Sequence, residues 1–199
     1  MKIILDVFTA IKQIGLEGTD SPFEKNKLPI FNLINFFSIL FMVVYVPFII
    51  LNGKQLSSVG WLLYFSFAPV NVLVLWLNSR FRYETARMVY CTVLPLLAAS
   101  TSITGSATGL ELFFVFYALL GAFMLEKRRN IVICMSLSLA IYSYLFLFWP
   151  NNTSLSSHDL TTNGFYVFNQ LLAIVFMFHI IFRLRASNYR LPAFADQCQ

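Results

Sequence analysis

Residues 30–51 read IFNLINFFSILFMVVYVPFIIL, a run without one charged side chain. A bilayer core about 30 Å thick is crossed by about 20 helical residues at a rise of about 1.5 Å each. This run is long enough to cross and too long for the core of a cleavable signal peptide. The same ruler, carried outward along the chain, predicts five further spans over residues 59–77, 88–104, 108–125, 131–149 and 164–182. The expectation is an all-α, polytopic membrane protein with a six-transmembrane-helix bundle.

Composition agrees. Of the 199 residues 58% are hydrophobic and 12% charged, and 22 are Phe. An ordinary soluble domain carries about 45–50% apolar and about 25% charged residues. So much apolar surface exceeds what one core of this size hides, and the excess is expected to face lipid. The formal charge of +5 does not point to nucleic acid, because the basic residues punctuate the apolar runs instead of forming a basic face. With the N-terminus inside, every one of the 14 Lys and Arg residues except Lys54 falls in a cytoplasmic segment: Lys2 to Lys27, Arg80 to Arg87, Lys127 to Arg129, and Arg183 to Arg190. That asymmetry predicts an even number of spans with both termini cytoplasmic. The expected location is a bacterial inner membrane. Three regions follow: a cytoplasmic amphipathic leader over 1–28, the transmembrane domain over 29–183, and a short cytoplasmic tail over 184–199.

In the leader, Lys2, Asp6, Thr9 and Gln13 share one helical face while Ile4, Phe8 and Ile11 line another, and Gly15 and Gly18 follow. This pattern predicts a short helix lying on the inner membrane surface. The inner loops are brief and basic, so neighbouring helices should pair as antiparallel hairpins.

Soluble-enzyme motifs are absent: no phosphate-cradling glycine loop, no H-E-x-x-H, no C-x-x-C and no nucleophile elbow. The polar groups within the spans remain. Glu111 falls about one turn below the outer surface, where a carboxylate costs several kcal/mol unless protonated, paired or hydrated. It is read as a ligand, proton or cation contact, or else as an interfacial acid near its own helix N-terminus. Asn169 and Gln170, with Ser102 and Thr104, fall at a similar depth and could build with Glu111 an outward-opening pocket. Single Asn, Gln and Ser residues also hydrogen-bond between helices, at about 0.6 kcal/mol each. Pro69 and Pro95 fall at nearly one depth, each removing a backbone hydrogen bond, with Asn71 placed to satisfy a freed carbonyl. They are expected to form a bending relay, although proline is common in transmembrane helices. His179 is expected at the inner interface, with no metal site. Cys91 and Cys134 lie in apolar segments and imply no disulfide framework.

The leader, the basic residues Lys25 and Lys27, the six spans, and the run Gly109-Leu110-Glu111-Leu112-Phe113-Phe114 ahead of Leu125-Glu126-Lys127-Arg128-Arg129 form a pattern. It resembles the N-terminal six-helix membrane region of certain bacterial sensor histidine kinases and class III nucleotide cyclases. The resemblance implies a membrane region that senses a stimulus and a last helix that continues into a dimeric coiled coil driving a catalytic domain. Here the chain after Arg183 reads Leu-Arg-Ala-Ser-Asn-Tyr-Arg-Leu-Pro, without a phospho-accepting histidine helix or nucleotide-binding fold. Catalytic output therefore does not carry over. The expectation is a non-enzymatic sensory module without a cofactor, either a truncated sensor or a stand-alone module. Its expected partners are the lipid bilayer, a small or lipophilic ligand, a second copy and a separate cytoplasmic signalling protein. A small transporter or channel with Glu111 as coupling group is the competing reading.

Overall fold

The computed structural model describes residues 2–51, 58–103, 111–148, 170–171 and 173–178, without the side chains of residues 2–4, 44–51, 102–103, 111 and 146–148. Its elements are α1 (Lys2–Gln13), a 3-10 turn (Leu16–Gly18), α2 (Pro22–Leu51), α3 (Ser58–Ser79), α4 (Tyr83–Ile103), α5 (Glu111–Met124) and α6 (Arg128–Phe148). Residues 170–171 and 173–178 are helical as well. No strand occurs among the described residues, so the all-helical expectation holds.

The two leading helices are separated by backbone chemistry. Gly15 takes a φ of 78°, a left-handed conformation that glycine adopts without Cβ strain, and α1 ends there. Pro22 opens α2 at the first helical position, where its missing N–H is no loss. Glu24 places negative charge in the first turn, as the helix dipole favours. α2 therefore starts well inside the stretch assigned to the leader and continues through the first expected span without a break.

The α3–α4 turn is a Schellman motif. Phe81 N–H donates to Asn78 O at 3.1 Å and Arg82 N–H to Leu77 O at 3.0 Å. Phe81 occupies the left-handed position, φ 59°, where glycine is usual. Its ring explains why a large residue is kept there: it packs so closely on Gly18 that a Cβ on that glycine would lie 2.1 Å from the ring.

By length and composition two stretches, Pro22–Val43 and Ser58–Ser79, could cross a membrane, and Leu112–Met124 is apolar but shorter. α4 and α6 have 21 residues each but carry charged or small polar residues in their described lengths. Large apolar side chains face outward along these helices, among them Leu62 at 69% exposure, Val72, Leu139 and Val175.

Inside, α3 pairs with α4 and α5 with α6, while α4 also touches α5 and α6. The core joins Phe31 and Ile34 of α2, Val74 and Leu77 of α3, Tyr90 and Leu94 of α4, Phe116 and Leu120 of α5, and Cys134 of α6. Phe31 meets Tyr90 edge-on at 5.3 Å between centroids, and Phe116 lies 5.8 Å from Phe176 in the last described helical stretch. A second cluster of Ala98, Phe114 and Leu145 fills the other end of the bundle.

Candidate functional site

One end of the bundle collects most of the buried polar chemistry. Glu24, near the start of α2, and Arg87, one turn into α4, form a two-point ion pair. Nη1 donates to Oε1 at 2.9 Å and Nη2 to Oε2. The Arg87 side chain is 0% exposed and that of Glu24 is 11% exposed. The guanidinium also faces two aromatic rings, 5.8 Å from the Phe23 centroid and 5.9 Å from that of Phe31. Arginine suits such a place because its planar fork matches a carboxylate and tolerates stacking. Sequence reasoning put Arg87 in a basic cytoplasmic turn; instead it is one of the most buried side chains of the described chain.

Lys27, one turn after Phe23, stands 3.7 Å above that ring and donates to the carbonyl of Phe123 at the end of α5. Burial, and then the nearby Arg87 charge, hold its ammonium below the usual lysine range. Glu84 at the start of α4 reaches the beginning of α6. It accepts from Asn130 Nδ2 at 2.8 Å and from the Glu126 and Lys127 N–H groups at 3.4 Å each. A carboxylate at a helix N-terminus meets free N–H groups and a favourable dipole. These bonds bring residues 24–27, 84–87 and 123–130, which fall in or beside three of the four expected cytoplasmic segments, to one end of the bundle.

The leader is bonded into the same end. Asn32 donates through Nδ2 to the Ile14 carbonyl at 2.9 Å, and its Oδ1 accepts from Asn78 Nδ2 at 2.8 Å. Tyr83 donates its hydroxyl to the Gly15 carbonyl at 2.5 Å. Burial, followed by the Glu24 charge, raises the Tyr83 phenol above its ordinary value. Phe8 packs on Phe36 and Phe37 at 5.9 and 5.7 Å, so α1 lies against the flank of α2. An open groove of about 380 Å³ runs beside this junction, lined by Gln13, Gly15, Glu17, Ser79 and Phe81 among others.

Further into the bundle, Asn35 Nδ2 donates to the Asn71 carbonyl at 2.8 Å, and Ser38 shares a 2.9 Å hydrogen bond with Tyr90. Asn71 Nδ2 donates to Phe67 O at 2.8 Å, four residues back on its own helix. The carbonyl that Pro69 leaves without an N–H is that of Phe65, so Asn71 serves a different carbonyl from the one expected. Among the described residues, the Oδ1 atoms of Asn35, Asn71 and Asn78 and the Nε of Arg87 are buried without a hydrogen-bond partner.

The expected outer pocket falls largely outside the described residues. Glu111 and Ser102 are helical, at the start of α5 and near the end of α4, but their side chains are not described; Thr104 and Asn169 lie outside, as does His179. Gln170 is helical and half-buried. Of the relay pair, Pro95 is buried and Pro69 exposed, with both inside continuous helices. The inner polar end was missed in the sequence, although two signals were present. Asn32 and Asn35 stand three apart and Asn71 and Asn78 seven apart, each pair on one face of an otherwise apolar helix.

Neither a family model, nor a curated protein, nor a solved structure matches this chain.

Proposed function

We propose that the chain is a six-span membrane module, with both termini cytoplasmic, that relays a stimulus received in or outside the bilayer to its cytoplasmic face. The observation that carries this reading is the fastening of the leader to the bundle. Asn32 and Tyr83 hold the Ile14 and Gly15 carbonyls, and Asn32 also holds Asn78, so α2, α3 and α4 converge on one turn of backbone. A shift between those helices has to break or carry that turn. The segregated basic residues and the two stretches long enough to cross support membrane residence. The resemblance to sensor membrane regions supports the direction of relay, toward a cytoplasmic partner or a second copy. A stimulus site near Glu111, with Gln170, Asn169, Ser102 and Thr104, belongs to the same proposal, as does the absence of a catalytic step of its own.

A chimera carrying a histidine-kinase core after Arg183 tests it. Basal phosphorylation should change several-fold in Asn32→Leu and Tyr83→Phe chimeras that still insert and fold. Glu111→Gln should blunt the response to an effective stimulus. Unchanged output in all three variants would refute the relay. A cytoplasmic reporter joined after Arg183 should be active and a periplasmic one silent.

Transport is a second reading, favoured by the buried, unpartnered amide oxygens of Asn35 and Asn71 on the α2–α3 seam. Glu111 would be its coupling group. Proteoliposome flux that collapses in Glu111→Gln and Asn71→Leu would establish transport in place of relay.

A further inference from the structure

Three sulfur atoms meet inside the bundle. Met88 and Cys91 stand three apart on α4 and therefore share a face, while Cys134 comes from α6. The Cys134 thiol donates to Met88 Sδ at 3.6 Å, and Cys91 stands beside Cys134 in the same buried cluster, both flanking Gly121. Both cysteines are free and 0% exposed. Gly121 of α5 lies against them: a Cβ there would stand 3.0 Å from Cys134 Cβ and 4.0 Å from Cys91 Sγ. A bare stretch of helix backbone thus borders the pair, where a side chain would press on the Cys134 Cβ and reach ordinary contact with Cys91 Sγ.

We infer that Met88, Cys91 and Cys134 form a binding site for a soft monovalent metal ion of the Cu(I) class, held by two thiolates and one thioether. Thiolate and thioether ligands select Cu(I) over harder ions. Structural zinc sites take four ligands, commonly with nitrogen among them. The donors that Met88, Cys91 and Cys134 supply are all sulfur; among the described residues no three His, Cys, Asp or Glu side chains are grouped to hold a metal. Binding releases one proton from each thiol, forms two metal–thiolate bonds and one metal–thioether bond, and leaves the metal's oxidation state unchanged. The product carries one net negative charge. Arg87 lies one turn before Cys91 on α4 and holds a buried Nε–H without a partner, a donor on the side of the helix where that charge appears. The site does not depend on the relay reading, and either can fail alone.

The test uses the full chain, reduced and anaerobic in detergent micelles, titrated with Cu(I) against a bathocuproine chelator. One Cu(I) per chain is expected, with only sulfur neighbours in X-ray absorption. Cys91→Ser and Cys134→Ser should each weaken binding by more than the roughly 10–100-fold that outer-layer partners of metal sites are worth, and Met88→Leu by an amount within that range. Cys198→Ser should leave binding unchanged. Because a serine in the core can disturb folding, the unaltered chain supplies a second measurement: after Ag(I) is loaded onto the folded chain and the chain is then unfolded in SDS, Ag(I) should protect Cys91 and Cys134 from alkylation. Binding that survives loss of both cysteines, binding that follows Cys198, nitrogen or oxygen neighbours, or equal alkylation with and without Ag(I) would each overturn the site. So would a Cys91–Cys134 disulfide formed with diamide in a chain that takes up no Cu(I).

Discussion

Arg87 meets Glu24 across 63 positions of sequence, with Nη1 2.9 Å from Oε1 and the guanidinium sealed between the rings of Phe23 and Phe31. This pair ties the start of α2 to the first turn of α4. Buried ion pairs add little net stability over apolar residues of similar shape, but removing one partner strands a charge at about 3–5 kcal/mol.

Glu24→Gln and Arg87→Met should each therefore destabilise the chain by about 3–5 kcal/mol. The double variant Glu24→Leu/Arg87→Met should recover most of that loss. Thermal unfolding of the purified protein in detergent measures both; equal losses in the single and double variants would show that the pair carries no stranded charge.

Asn32→Leu removes the bond to Ile14 O and leaves Asn78 without its acceptor. A buried amide deprived of its partner costs about 1–3 kcal/mol. Amide hydrogen exchange over residues 2–13 should quicken, while exchange in α5 and α6 stays as before. Uniform quickening throughout would mean global destabilisation instead of release of the leader.

Gly15→Ala forces a side chain onto a φ of 78° and would place its Cβ 2.3 Å from the Asn78 carbonyl oxygen. A strained backbone position of this kind costs about 1–3 kcal/mol, and the collision adds to it. Gly18→Ala would first meet the Phe81 ring, a side chain and not backbone, so its cost should be smaller. The order of the two melting temperatures checks the assignment.

Lys27 gives a pH dependence with a definite sign. Its folded value lies below 10.5 because burial disfavours the ammonium. Between the folded value and 10.5 the unfolded chain binds more protons, so this group's contribution to stability rises with pH through that window. Below the window the ammonium's penalty is fully present. The stability difference between the unaltered chain and Lys27→Met should move in favour of the unaltered chain as pH rises toward 10.5. Comparing the two chains cancels Tyr83, whose raised value works in the opposite direction above 10.0.

Helix content, the placement of most helices and the end of α1 at Gly15 could be read from the chain alone, because hydropathy, glycine conformation and charge segregation act over a few neighbouring residues. The start of α2 could not: Lys25 and Lys27 fall within the leader assigned over 1–28, yet Pro22 opens the helix and the contacts of Glu24 and Lys27 with α4 and α5 hold its first turns on the bundle.

What only the tertiary structure decided is which polar groups meet. Arg87 reads locally as one more basic residue of a turn, Asn32 and Asn78 as scattered amides, and Cys91 and Cys134 as small apolar fillers. Their partners stand 63, 46 and 43 positions away in such pairings as Glu24–Arg87, Asn32–Asn78 and Glu84–Lys127. Local periodicity carries no information about separations of that size. Burying a charge or an amide is costly until its partner arrives, and only the packed bundle supplies that partner.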